Sequence, residues 1–465
     1  MAERVDLLSD LSEIVWSRVS EHENHILSSA LIRALLNIVY WTTLKSEEKE
    51  RLKFTVAYVN PDEKQSAHHV RQPYDHWQCT PLTSRLSFDV RNLSKIAQAA
   101  DPNSTYIAVY SDSNGDLYIW GLIDQVAVHA LRLVTWETDH GPSTPGIFYV
   151  SANGAADITV ARDYSILGAL KQDSILEKYD NVFEDEHVIS GILRKFITRN
   201  INSFPVEIAD VPPEQIINWA TSEVSSTISR ILFNIQRYRH GGAILLTGVP
   251  SKENLNIKYG IDYDRLSGAI SRKITQNVRH ASVSEHIFEH HLGKNRGPAI
   301  AKDEFQEYAK TDVLVRESLS ELAGYVKFVA SLSRVDGLIL MNQTYKILGF
   351  GVEIVNTPEV DSVFVASDHL GEKGLIVAAN HFGTRHRSMM RYCSQHPDSI
   401  GFVISQDGFV RAITLLRERL TMWENVQVEF HVDPDAELHE GCCPNCEAHG
   451  LNMPGQDDSE AIKNK

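Results

Sequence analysis

Along the chain the apolar positions change their period several times. Between residues 26 and 44, Leu, Ile and Val recur at helical spacing, with Arg33 and several Ser, Asn and Thr residues between them. That pattern predicts an amphipathic helix lying on a core, not a membrane span. Residues 54–59 read as a strand and 60–72 as a polar run. Residues 86–90 alternate like a strand, 92–100 read as a helix, and 105–110 and 117–122 as two strands. The link between that pair contains Asn114-Gly115, a hairpin turn signal. Strands are also predicted at 146–151 and 156–161, joined across Asn153-Gly154. Residues 186–200 and 213–239 read as helices. The longer one has Pro213 in its first turn and an apolar face of Ile216, Ile217, Val224, Ile228, Ile231, Leu232 and Ile235, and His240-Gly241-Gly242 ends it. Residues 243–249 form an apolar run short enough for a buried strand.

Residues 280–312, rich in His, charge, Gly and Pro, read as a boundary. Beyond them a helix at 313–333 leads into strand, turn, strand, loop, helix, strand, turn and strand, ending near Thr414. The expected organisation is a helical and strand-like segment at 1–75, an α/β region at 76–280, a linker at 281–312, a second α/β domain at 313–432 and a polar tail at 433–465.

Composition narrows the function. With 45 Lys+Arg against 61 Asp+Glu the formal net charge is −16, whereas a chain that gains affinity by neutralising nucleic-acid phosphates is normally basic. A general nucleic-acid binder is disfavoured. The charged N-terminus, Met1-Ala2-Glu3-Arg4-Val5-Asp6, lacks the apolar core of a signal peptide, and five cysteines make no disulfide framework. The expectation is a cytoplasmic protein with no membrane association.

The chemistry concentrates in residues 334–414. Asp336-Gly337-Leu338 opens an apolar strand, where a carboxylate can be held rigidly and a ligand can approach the backbone. A lone Asp-Gly also fits a simple turn. Further on, Gly383-Thr384-Arg385-His386-Arg387-Ser388 stands where a helix begins. Helix N-terminal amides, two guanidinium forks, a hydroxyl and an imidazole within one turn suit a polyphosphate.

Asp-Gly at a strand start, then Gly-Thr-Arg-His-Arg-Ser at a helix start, then the hairpin Ile404-Ser405-Gln406-Asp407-Gly408, together resemble the diadenylate cyclase domain. That family carries Asp-Gly-Ala and Arg-His-Arg motifs in the same order and at similar separation. The resemblance covers roughly residues 310–415 and implies a mixed central sheet flanked by helices. It also implies a nucleotidyltransferase that condenses two ATP molecules, held face to face by two subunits, into cyclic di-AMP with release of two pyrophosphates. By the same resemblance, Asp336 would bind Mg or Mn and help deprotonate the 3′-hydroxyl, and Gly337 would leave room for the nucleotide beside Leu338. Gly383, Thr384, Arg385, His386, Arg387 and Ser388 would hold the triphosphate, and the active form would be at least a homodimer. Phosphoryl transfer depends on positioning, metal and cationic stabilisation, which is the set these residues offer.

Two departures stand out. Leu338 replaces the family's Ala, and Ser405-Gln406-Asp407 replaces a Ser-Glu-Glu, with Asp407 the available substitute carboxylate for the metal. They motivate a second reading, a nucleotide-binding sensor whose cyclase-like pocket recognises ATP or a cyclic dinucleotide without making one. Tyr118 to Leu122 and His240 to Leu246 look like the sensor module that precedes such domains in some bacterial proteins.

Two further motifs carry metal chemistry in principle. His286-Ile287-Phe288-Glu289-His290 matches an inverted zinc-peptidase pattern, but no third ligand is identifiable. In the tail, His439, Cys443, Cys446 and His449 supply four possible zinc ligands around a single Cys-x-x-Cys. Cys393 reads as a packed core residue.

Overall fold

The computed structural model describes residues 6–20, 27–47, 50–61, 78–101, 105–124, 147–162, 165–171, 174–176, 181–203, 211–238, 240–287, 300–406 and 408–428. The fold is mixed α/β, as expected, and the chain divides into two compact units, the first dominated by residues 1–178 and the second spanning Tyr179–Glu429.

In the first unit, helices α1 (Leu7–Ser20), α2 (Ser29–Thr43) and α3 (Val90–Ile96) accompany strands β1 (Ser46–Glu47) to β10 (Ser174–Leu176). Eight of these strands form one sheet in the order β10-β9-β8-β7-β3-β5-β6-β4, comprising β3 (Phe54–Tyr58), β4 (Gln78–Ser87), β5 (Thr105–Ser111), β6 (Leu117–Asp124), β7 (Phe148–Gly154), β8 (Asp157–Arg162), β9 (Ser165–Lys171) and β10. Among the described strands of this sheet only β3 and β5 run parallel. Period-2 alternation divides β3 between two faces. Phe54, Val56 and Tyr58 join Leu11, Val15, Ile32, Leu35, Leu36 and Val39 in the main core, while Ala57 joins Tyr106, Trp120 and Tyr149 in a second cluster. The hairpin at Asn114-Gly115 forms as expected, with Gly115 at φ +85°. The next hairpin turns two residues later than expected. Gly154 still pairs with Asp157, and the turn is Ala155-Ala156, with the Ala156 amide donating to Thr43 Oγ1 at 3.0 Å.

The second unit contains α4 (Val188–Arg199), α5 (Pro213–Arg237), α6 (Arg265–Ile287), α7 (Lys302–Ser331) and α8 (Thr384–Gln395). Its nine-stranded sheet has the order β12-β14-β13-β11-β17-β18-β19-β15-β16. These are β11 (Gly242–Thr247), β12 (Leu255–Tyr263), β13 (Leu338–Asn342), β14 (Ile347–Ile354), β15 (Ser362–Ala366), β16 (Gly374–Ala378), β17 (Ser399–Ile404), β18 (Val410–Leu416) and β19 (Arg419–Trp423). The boundary expected at 281–312 falls inside this unit. β11 runs parallel to β13 and antiparallel to β17, so a strand assigned by sequence to the preceding region lies in the middle of this sheet. Every residue of β11 is buried, which accounts for its unbroken apolar run. Ala243 and Leu245 pack with Met389, Met390 and Cys393 of α8 on one face. On the other face a side chain at Gly242 would lie 2.6 Å from Ile235 of α5.

α7 begins eleven residues before the predicted start at 313, where Glu304 Oε2 accepts the Ala301 amide at 3.0 Å and closes the first turn. No helix among the described residues is long and apolar enough to cross a membrane.

Candidate functional site

Five segments separated in sequence meet at one cleft of about 690 Å³ in the second unit. Gly337 and Leu338 at the start of β13, Val352 to Val355 from β14 onward, Gly383 to His386 with Ser388 and Met389 at the head of α8, and Ser405-Gln406 after β17 line it, with Ala243 at its back. The two motifs singled out in the sequence therefore share one cavity.

The head of α8 has Gly383 as its N-cap, with no side chain to bond the first amides. The amides of Thr384, Arg385 and His386 precede the first intrahelical acceptor, whereas the Arg387 amide reaches Gly383 O at 3.1 Å. Their positive dipole end and the Arg385 guanidinium make this corner of the cleft suited to an anion. Arg385 is placed by Gly241, which sits in left-handed conformation at φ +64°. A Cβ there would be 2.7 Å from Arg385 Nη1 and 2.8 Å from Ile404 O. Ser388 Oγ accepts from Arg391 Nη2 at 3.2 Å, which leaves its own O–H to donate, and Arg391 is paired with Glu359 at 2.6 Å.

His386 is buried and accepts, through Nε2, a bond from Arg411 Nη1 at 3.2 Å, while Arg411 Nε donates to Glu424 Oε1 at 2.7 Å. Burial, then the positive charge of Arg411 and of Arg385, pushes the imidazole pKa down from 6.5 to about 4. At neutral pH the ring is uncharged.

Gly337 adopts φ +120°, and a Cβ on it would lie 2.4 Å from the carbonyl carbon of Gly351. The glycine is thus required by the close approach of β14, in addition to any room it leaves for a ligand. Leu338 is both a wall of the cleft and a member of the core beneath it, packed with Ala243, Val352 and Met389. Asp336 is exposed and, with Arg387, stands outside the lining set. Arg387 Nε is buried with no hydrogen-bond partner among the described residues. On the opposite wall Glu353 is bonded to Lys258 (2.6 Å) and Asn256 (3.2 Å). The Lys258 pKa is raised, chiefly by that bond to Glu353, with a smaller contribution from the charge of Asp336.

Among the described residues no three His, Cys, Asp or Glu side chains cluster as a metal cage. Mg²⁺ typically uses one or two carboxylates together with substrate phosphates, and the exposed Asp336, next in sequence to the cleft-lining Gly337, is a carboxylate of that kind.

Asp407, the Cys443, Cys446, His439 and His449 set, and Glu289 and His290 fall outside the described residues. His286 ends α6 and lies 3.7 Å from Glu304. Cys393 is fully buried, its thiol pushed up to about 12, and it donates to Ile413 O at 3.6 Å, in keeping with a core role. Sequence reasoning missed Gly241, Glu353, Arg411 and Glu424, each brought in by a strand distant from the motifs.

Compared with known proteins, residues 21–124 match the family described as "Probable sensor domain DACNV". The match includes Tyr118 to Leu122 but not His240 to Leu246, whose strand belongs to the second unit's sheet. It begins inside the segment assigned to 1–75 and continues into the next. No curated protein matches the chain.

Proposed function

We propose that the chain is a sensor-regulated diadenylate cyclase. Residues 21–124 form the sensor module, and the second unit condenses two ATP molecules into cyclic di-AMP. The observation that carries this reading is the meeting of Gly337-Leu338 with the Gly383–Ser388 helix start in one cleft large enough for a nucleotide. A match to a module of the kind that precedes cyclase domains supports it independently.

In this reading the amides of Thr384 to His386 and the Arg385 guanidinium bind the triphosphate and stabilise charge developing on the departing pyrophosphate. The apolar wall of Ala243, Leu338, Val352 and Met389 receives the base. Asp336 holds Mg or Mn together with phosphate oxygens and takes the proton from the 3′-hydroxyl, and the ion supplies Lewis-acid polarisation of the phosphoryl oxygens. The 3′-oxygen of each ATP attacks the α-phosphorus of the other, so two subunits must present their clefts to each other, a two-fold arrangement.

The second reading, a pocket that binds without turnover, is favoured by Gln406, a neutral residue lining the cleft beside Ser405, and by Leu338. Incubating the full chain with ATP and Mg²⁺ or Mn²⁺ separates the two. Cyclic di-AMP is the expected product, Asp336→Asn should abolish it while leaving the circular dichroism spectrum unchanged, and Arg385→Ala should weaken ATP binding by about tenfold or more. No product with either ion, alongside ATP binding that Arg385→Ala removes, would establish the sensor reading instead.

A further inference from the structure

The bond between Arg411 and His386 has a chemical consequence independent of any titration. A guanidinium has only donors, so the His386 Nε2 that receives it must present a lone pair, and the proton of the neutral ring is on Nδ1. Nδ1 faces the head of α8, where a Cβ placed on Gly383 would be 3.9 Å from it. Nδ1 is thus at the same end of α8 as the uncapped amides. Behind Arg411, Glu424 fixes the guanidinium through Nε, and the Phe382 ring lies 5.6 Å from its central carbon. The plane of the fork is held from two sides.

We propose that Arg411 and Glu424 are positioning residues that lock His386 as the neutral, Nδ1-protonated tautomer, so that it serves the phosphate site as a hydrogen-bond donor and not as a general base. The proposal rests on reading the cleft as a nucleotide site only for what the N–H is aimed at. The tautomer itself follows from the protein alone. Among the described residues, the charged groups facing the ring are Arg411 from β18, with Glu424 behind it, and Arg385 from its own helix. Among the described residues no carboxylate bonds the imidazole directly.

The test is long-range ¹H–¹⁵N correlation spectroscopy on the full chain labelled at histidine, with the His386 signals assigned by their loss in His386→Gln. The wild-type ring should show the Nδ1–H pattern and remain neutral at pH 6. Arg411→Lys, which keeps one donor, should preserve that pattern. Arg411→Met should mix in the Nε2–H form, raise the titration midpoint by about one pH unit or more, and weaken Mg-ATP binding by about tenfold. An Nε2–H or cationic ring in the wild type at pH 6 overturns the proposal, as does an Arg411→Met variant with unchanged tautomer and midpoint. If the tautomer follows Arg411 while Mg-ATP binds neither protein, the positioning role stands and the nucleotide reading fails.

Discussion

His386 is 7% exposed between two guanidinium groups, and its protonation would place a third cation among them. The cost appears as a pH dependence. The imidazole titrates near 6.5 when unfolded and near 4 when folded, so between those values the unfolded chain binds more protons and stability falls as pH falls. This contribution is fully present above about pH 6.5, is lost by about pH 4, and amounts to at most about 3 kcal/mol. Burial shifts His396 in the same direction. Urea unfolding at pH 7 and pH 4.5 should therefore show a smaller loss of stability for His386→Gln than for the wild type. An equal loss in both proteins would mean that the ring titrates normally.

Among the elements, the junction of β13 and β14 is the most constrained part of the site. Gly337 and Gly351 face each other, both with positive φ, and a Cβ on Gly337 would lie 2.4 Å from backbone. Gly337→Ala should cost about 3 kcal/mol or more, read as a lowered urea midpoint. Gly241→Ala should act more locally, displacing Arg385 and weakening ATP binding with a smaller stability loss. The sequence made the buried elements legible. α5 shows its proline start and its apolar stripe, and β11 its unbroken run, because both are covered by neighbours. Elements at the sheet edges left no such trace. β12 is largely exposed from Asn256 to Tyr263, and in β16 Leu375 and Ile376 are 74% and 75% exposed, so neither shows the alternation that burial imposes. The Asp-Gly and Gly-Thr-Arg-His-Arg-Ser segments were visible because local spacing defines them. Arg411, Glu424 and Gly241 were not, since only the pairing of β18 with β17 and β19, and of β17 with β11, brings them near α8.

For the whole molecule the decisive fact is where the second unit begins. Residues 179–429 contain both partners of every strand pair in the nine-stranded sheet, whereas a fragment starting at residue 313 lacks β11 and β12. A 179–429 fragment should therefore unfold cooperatively and bind ATP. The 313–432 fragment, which sequence alone would have chosen, should be insoluble or lack a cooperative transition, because it exposes the apolar flanks of β13 and β17. Two fragments with equal unfolding midpoints would refute that account of the sheet.

The central position of β11 also bears on biosynthesis. The strand leaves the ribosome about 95 residues before its partner β13 and about 155 before β17, at roughly 5–20 residues per second. Several seconds therefore pass in which a strand that is wholly buried in the folded unit waits without either neighbour, and such long-range pairing is intrinsically slow. The first unit can complete its own sheet during that interval, but the second cannot close until β13 and β17 have emerged, which exposes it to chaperone capture for longer.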